Sequence, residues 1–65
     1  MPEADLISQQ YESIVKSVFN SFFINLTEVA VAADPKAATE KAELSFRTGI
    51  SIAKDARDRA LKLVA

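Results

Sequence analysis

Val29-Ala30-Val31-Ala32-Ala33-Asp34-Pro35-Lys36-Ala37-Ala38 lies at the middle of a 65-residue chain and decides how that chain folds. Proline lacks the amide N–H that a helix interior needs, and it pushes the residue before it out of the α region. Asp is a good N-cap, and Pro fits the first helical position after it. One helix therefore ends here and another begins. Outward from the break, the spacing predicts a helix over about 4–32, a break at 33–35 and a helix over about 35–64. At 1.5 Å per residue each is roughly 42–45 Å long. Equal lengths and a short connection favour an antiparallel hairpin, with one long kinked helix as the alternative. The expected fold class is all-α, a single helical-hairpin domain over 1–65.

Composition narrows the function. A domain of this size buries only about 60% of the surface its unfolded chain exposes. Small scaffolds make up the difference with staples, tight helix packing or oligomerisation. Cys and His are both absent, which removes disulfides, zinc sites and thiol or imidazole chemistry. A single Gly and two Pro argue against a turn-rich β protein. With 26% charged residues and a net charge of −1, the chain is neither a strongly basic nucleic-acid binder nor an acidic tail. The opening Met1-Pro2-Glu3-Ala4-Asp5 is acidic, unlike the basic start of a signal peptide. The longest apolar run, Val29 to Ala33, is far short of the roughly 18 residues of a membrane span. The default expectation is a cytoplasmic protein without a transmembrane segment, leaderless secretion remaining open. Asn25-Leu26-Thr27 matches a glycosylation sequon, read here as a chance match inside an amphipathic helix.

Helix one carries an apolar stripe of Tyr11, Val15, Phe19, Phe22, Leu26, Val29 and Ala33, widened on one flank by Ile7, Ile14 and Val18. Steps of three and four are the periodicity of a core-facing helix. Helix two carries Ala38, Ala42, Phe46, Gly49, Ala53, Ala56, Ala60 and Leu63, most of them small, with Ser45 beside them. A large-residue seam against a small-residue seam brings two axes close, in packing of coiled-coil type. Gly49 in mid-helix costs about 1 kcal/mol relative to Ala, which close approach of another backbone would offset. The expected helix–helix seam therefore comprises Val15, Phe19, Phe22, Leu26 and Val29 against Ala42, Phe46, Gly49, Ala53, Ala56, Ala60 and Leu63.

Apolar residues are left over. Helix one has thirteen large ones between Leu6 and Val31, and helix two has seven between Leu44 and Val64. A two-helix contact uses one stripe from each. Ile24 and Val31 fall on the face opposite Phe22, Phe23 falls between the two faces, and Leu6 and Leu44 are also off the stripe. Scattered surface residues are common, but a contiguous apolar surface marks an interface. Phe23, Ile24 and Val31 are the expected association surface, and the expected partner is a second copy of the chain, a partner helix or a hydrophobic surface.

The charges suit a hairpin. Residues 1–45 carry three basic against seven acidic side chains, net −4, and residues 46–65 carry five against two, net +3. Folding back puts the basic tail beside Glu3, Asp5 and Glu12. Glu12/Lys16, Glu43/Arg47, Asp55/Arg59 and Asp58/Lys62 are acid-first pairs four apart, each worth about 0.2–0.5 kcal/mol. Glu40/Glu43 and Asp55/Asp58 have a spacing that serves acid–base work or a hard cation, but basic neighbours make them solvated helix faces. Ser, Lys and Tyr are potential nucleophiles or bases without a concave site in a two-helix unit. Lys54, Arg57, Arg59 and Lys62 are interrupted by Asp55 and Asp58, which argues against a nucleic-acid surface. No catalytic residue, cofactor site or metal site is expected.

Val29 to Ala38, followed by the helix through Phe46, resembles the helix–break–helix segment of phasins over about a quarter of the chain, with Ala33 where that family usually has Lys. The resemblance implies an amphipathic helical protein that oligomerises and coats hydrophobic granules. In architecture alone, a Pro-broken hairpin is also similar to subunits of secretion-needle filaments. The expected function is a non-enzymatic, self-associating helical hairpin, most simply a dimer forming a four-helix bundle; a phasin-like coat and a filament subunit are the alternatives.

Overall fold

The computed structural model describes residues 2–65, which form two α-helices and a short connection, with no strand among them. Helix α1 spans Pro2–Val29 and α2 spans Pro35–Val64. The helices pack antiparallel: Tyr11 meets Arg57, Val18 meets Gly49 and Phe22 meets Phe46, so partners advance along one helix as they retreat along the other.

The connection follows from its residues. Asp34 caps α2, its Oδ1 accepting from the Ala37 amide at 3.2 Å, and Pro35 occupies the first turn, where a missing N–H costs nothing. The Asp34 carbonyl accepts from Ala38 at 3.0 Å and starts the helical ladder. Helix α1 ends at Val29, three residues short of the expected boundary. Its last amides turn inward by three residues instead of four: Val31 donates to the Glu28 carbonyl at 3.2 Å and Ala32 to that of Val29 at 3.1 Å. Such tightening satisfies carbonyls that a helix end leaves open, and it frees residues 30–34 to reverse the chain.

The two axes meet where α2 is thinnest. A methyl group built on Gly49 would stand 3.1 Å from Val18 Cγ1 and 3.3 Å from Cγ2. On either side of Gly49, Ala42 and Ala53 are the only buried residues among those described. Toward the turn, Phe22 and Phe46 stack with ring centroids 4.8 Å apart and planes tilted by 38°. Toward the termini, the Arg57 guanidinium lies over the Tyr11 ring at 4.5 Å, an attraction worth about 0.5–1 kcal/mol at a partly exposed site.

The result is a rod, with Cα extents of 49 × 15 × 7 Å and a radius of gyration of 15.1 Å. A compact chain of this length has a radius of gyration of about 11 Å. Accessible surface tells the same story: the hairpin exposes 5083 Å², against about 4,100 Å² for a compact protein of 7.1 kDa. About 1,000 Å² per chain is thus left exposed beyond what folding of this size usually leaves.

Substitution at the closest approach tests this packing. Gly49→Leu should overpack the seam and cost about 1–3 kcal/mol in a urea melt. Gly49→Ala should change stability by less than about 1 kcal/mol, since better helix propensity offsets a few tenths of an ångström of movement by Val18.

Candidate interaction surface

The seam takes only part of the apolar arc of α1. Val15, Phe22 and Val29 are half-buried against α2, as are Ile7, Val18 and Asn25. Phe19 and Leu26, expected in the seam, are exposed at 57% and 39%. Close approach at Gly49 explains the rotation: the two methyls of Val18 fit the notch, and the longer Phe19 and Leu26 side chains are turned out of it. On α2, Ala42, Phe46, Gly49, Ala53 and Ala60 line the seam, whereas Ala56 is exposed and Leu63 is 85% exposed. Ile50, Arg57, Leu61 and Val64 take part instead.

Both corrections share a cause. The seam recurs every eleven residues, through Ile7, Val18 and Val29 on α1 and Ala42, Ala53 and Val64 on α2. Eleven residues in three turns, about 3.67 per turn, is a repeat of right-handed sense, whereas a seven-residue repeat imposes a left-handed supercoil. The heptad-like steps expected beyond Ala53 drift off the contact by about 20° per seven residues, which is why Leu63 gives way to Val64.

What the seam leaves out is arranged on two sides. Phe19, Phe23 and Leu26 follow one another at i, i+4 and i+7 and form a ridge on one flank of α1. The opposite side of the hairpin is a groove made of three hollows. Asn25, Glu28, Lys41 and Ser45 line the one nearest the turn, of about 400 Å³. Ile14, Val18, Phe22, Phe46 and Gly49 line the middle one, of about 240 Å³, with Ser17 and Ser21 at its edge. Leu6, Ile7, Tyr11, Ile14, Ala56 and Ala60 line the third, of about 250 Å³, near the chain termini. Polar atoms edge the first; carbon lines nearly all of the third. Of the expected association surface, Phe23 belongs to the ridge. Ile24 stands on the back of α1 and Val31 lies in the connection, both exposed.

The polar groups do not converge on a site. Glu43 pairs with Arg47 at 3.9 Å, Asp55 with Arg59 at 2.9 Å and Asp58 with Arg57 at 3.1 Å. All three ion pairs lie within α2, so the expected neutralisation of the basic tail by Glu3, Asp5 and Glu12 is not formed among the described residues. Asp58 turns to Arg57 instead of Lys62, and Glu12/Lys16 is open as well. Holding Arg57 over Tyr11 places its guanidinium beside Asp58, which accounts for the switch. Lys54, Arg57, Arg59 and Lys62 point in different directions round α2 at about 100° per residue, so no basic face results. Among the described residues no group of three or more acidic side chains gathers as a cation site, and no helix is long and apolar enough to cross a membrane. Asn25, within the sequon, lies half-buried beside α2, while the Thr27 hydroxyl donates to the Ile24 carbonyl at 2.6 Å.

Compared with protein families, curated proteins and solved structures, the chain matches none.

The two aromatic neighbours on α1 should behave differently. Phe22→Ala removes a half-buried ring stacked on Phe46 and should cost about 2–3 kcal/mol, below the ~3–5 kcal/mol of a fully buried ring. Phe19→Ser should leave the stability of dilute protein within about 0.5 kcal/mol, as exposed positions do. Chemical denaturation at low micromolar concentration, followed by circular dichroism, separates them.

Proposed function

We propose that this chain is a non-enzymatic structural subunit, a helical hairpin that associates with copies of itself and completes in the assembly the core that one hairpin lacks. The observation that carries the reading is the mismatch between apolar content and burial. Half the residues are apolar, yet among the described residues no large side chain is buried and ten large apolar ones are exposed. Contiguous apolar surface of this kind marks an association site. The excess of about 1,000 Å² per chain is also on the scale of a standard interface, about 800 Å² per partner. Two hairpins packed side by side, as a four-helix bundle, are the smallest assembly that draws on it.

A second reading uses the same surface differently. The Phe19–Phe23–Leu26 ridge on an amphipathic helix, with the phasin-like stretch Val29 to Ala38 beyond it, suits adsorption to a hydrophobic body. Self-association ranks first because surplus apolar residues lie on more than one side of the rod, where adsorption to one surface covers one side.

Concentration dependence decides between a self-sufficient and an associating hairpin. The melting temperature should rise by several degrees between about 1 and 100 µM, because mass action stabilises an associating fold. Sedimentation should show species larger than one chain at the upper concentration. A monomer at 100 µM with a concentration-independent melt would refute the reading, and transfer of that monomer onto oil droplets would favour the coat.

A further inference from the structure

We infer that copies of this chain join head-to-tail, the Phe19–Phe23–Leu26 ridge of one hairpin seating in the terminal-end hollow of the next. The inference rests on the self-association proposed above and specifies which surfaces meet. Three observations carry it. The first is that the two largest apolar features lie on opposite sides of the rod. The ridge stands on one flank of α1, and the hollow opens between Ile14 and Ala56 on the other side, with Leu6 at its edge. The second is that they differ in shape. Phe19 and Phe23 project, with 57% and 59% of their surface exposed, whereas Ala56 and Ala60 leave the hollow a low floor. A projecting pair of rings fills a hollow better than it packs against an identical pair.

The third observation is their offset along the rod. The ridge centres near Phe22 and the hollow near Gln10, about 18 Å apart at 1.5 Å per residue. Beside the hollow, toward the turn, Ser17 and Ser21 edge a middle stretch still made largely of Ile14, Val18 and Phe22, and Glu28 and Lys41 bring in polar groups nearest the turn. The terminal hollow is the most purely carbon-lined of the three seats on this side. Isologous pairing of two ridges buries the aromatics but leaves the hollow and its apolar rim, Leu6, Ile52 and Leu63, in water; these three are 59%, 64% and 85% exposed. Head-to-tail pairing covers both features of every interior copy. Such a contact has a free ridge at one end and a free hollow at the other, so it grows into a ring or an open filament instead of stopping at two.

Complementation tests this. One variant, Phe19→Ser with Phe23→Ser, lacks the ridge; a second, Leu6→Glu with Ala56→Glu, closes the hollow with charge. All four positions are exposed. Sedimentation velocity and circular dichroism are measured on each variant, on their equimolar mixture and on the parent chain at about 100 µM. The expected result is an assembly of more than two chains for the parent, single chains for either variant, and a heterodimer that grows no further for the mixture. If a lone variant loses helicity, the mixture should regain it. The inference is overturned if the hollow-closed variant dimerises alone, which means ridge meets ridge. It is overturned equally if the ridge-less variant assembles alone, or if the mixture stays monomeric while the parent associates. A monomeric parent instead refutes self-association itself. Should a double variant unfold irreversibly, Phe23→Ser and Leu6→Glu alone make the same comparison.

Discussion

The contact between Val18 and Gly49 sets the distance between the two helices, and most of what distinguishes this hairpin follows from that distance. A side chain of two methyl groups lies within 3.1–3.3 Å of where another residue would have a Cβ. Ala42 and Ala53, two turns and one turn away, keep the rest of the seam equally thin. Two axes this close make an intimate contact but a small one, since alanine and glycine bring little area to bury. The seam can accept rings only toward the turn, where Phe46 replaces the small residues and stacks on Phe22.

A thin seam leaves the large apolar side chains outside. Phe19, Phe23 and Leu26 cannot enter without forcing the helices apart, and Ile24, Val31 and Leu44 have no element to pack against. A globular protein solves this by adding a further layer. The described residues form two helices and hold no third layer. The rod shape and the excess surface express the same shortage of core. The thin seam and the exposed large side chains are two aspects of one distribution of side-chain size.

Electrostatics contributes little to either. The ion pairs within α2 are largely exposed, where each adds a few tenths of a kcal/mol. Arg57 is the exception in position: its guanidinium covers Tyr11 at the open end of the seam, where its aliphatic stem also shields apolar surface. Charge therefore tidies the ends and the outer face of the hairpin, while packing determines the register.

The break at Asp34-Pro35 and the all-helical hairpin were legible from the sequence because their causes are local. A proline ring and a capping carboxylate act on their immediate neighbours whatever the rest of the chain does. The small-residue character of α2 and the exposure of Phe23, Ile24 and Val31 were legible too, from periodicity alone. Which edge of the broad apolar arc of α1 turns inward was not. Val15, Phe19, Phe22 and Leu26 form as regular a stripe as Val15, Val18, Phe22 and Asn25, and hydrophobicity favours the first. Tertiary structure decided for the second, because only Val18 fits the space that Gly49 leaves. The same holds for Leu63 and Val64, whose places depend on whether the contact repeats every seven or every eleven residues over many turns. Local chemistry determined where the helices begin and end, and the distance between them determined which side chains remain for a partner.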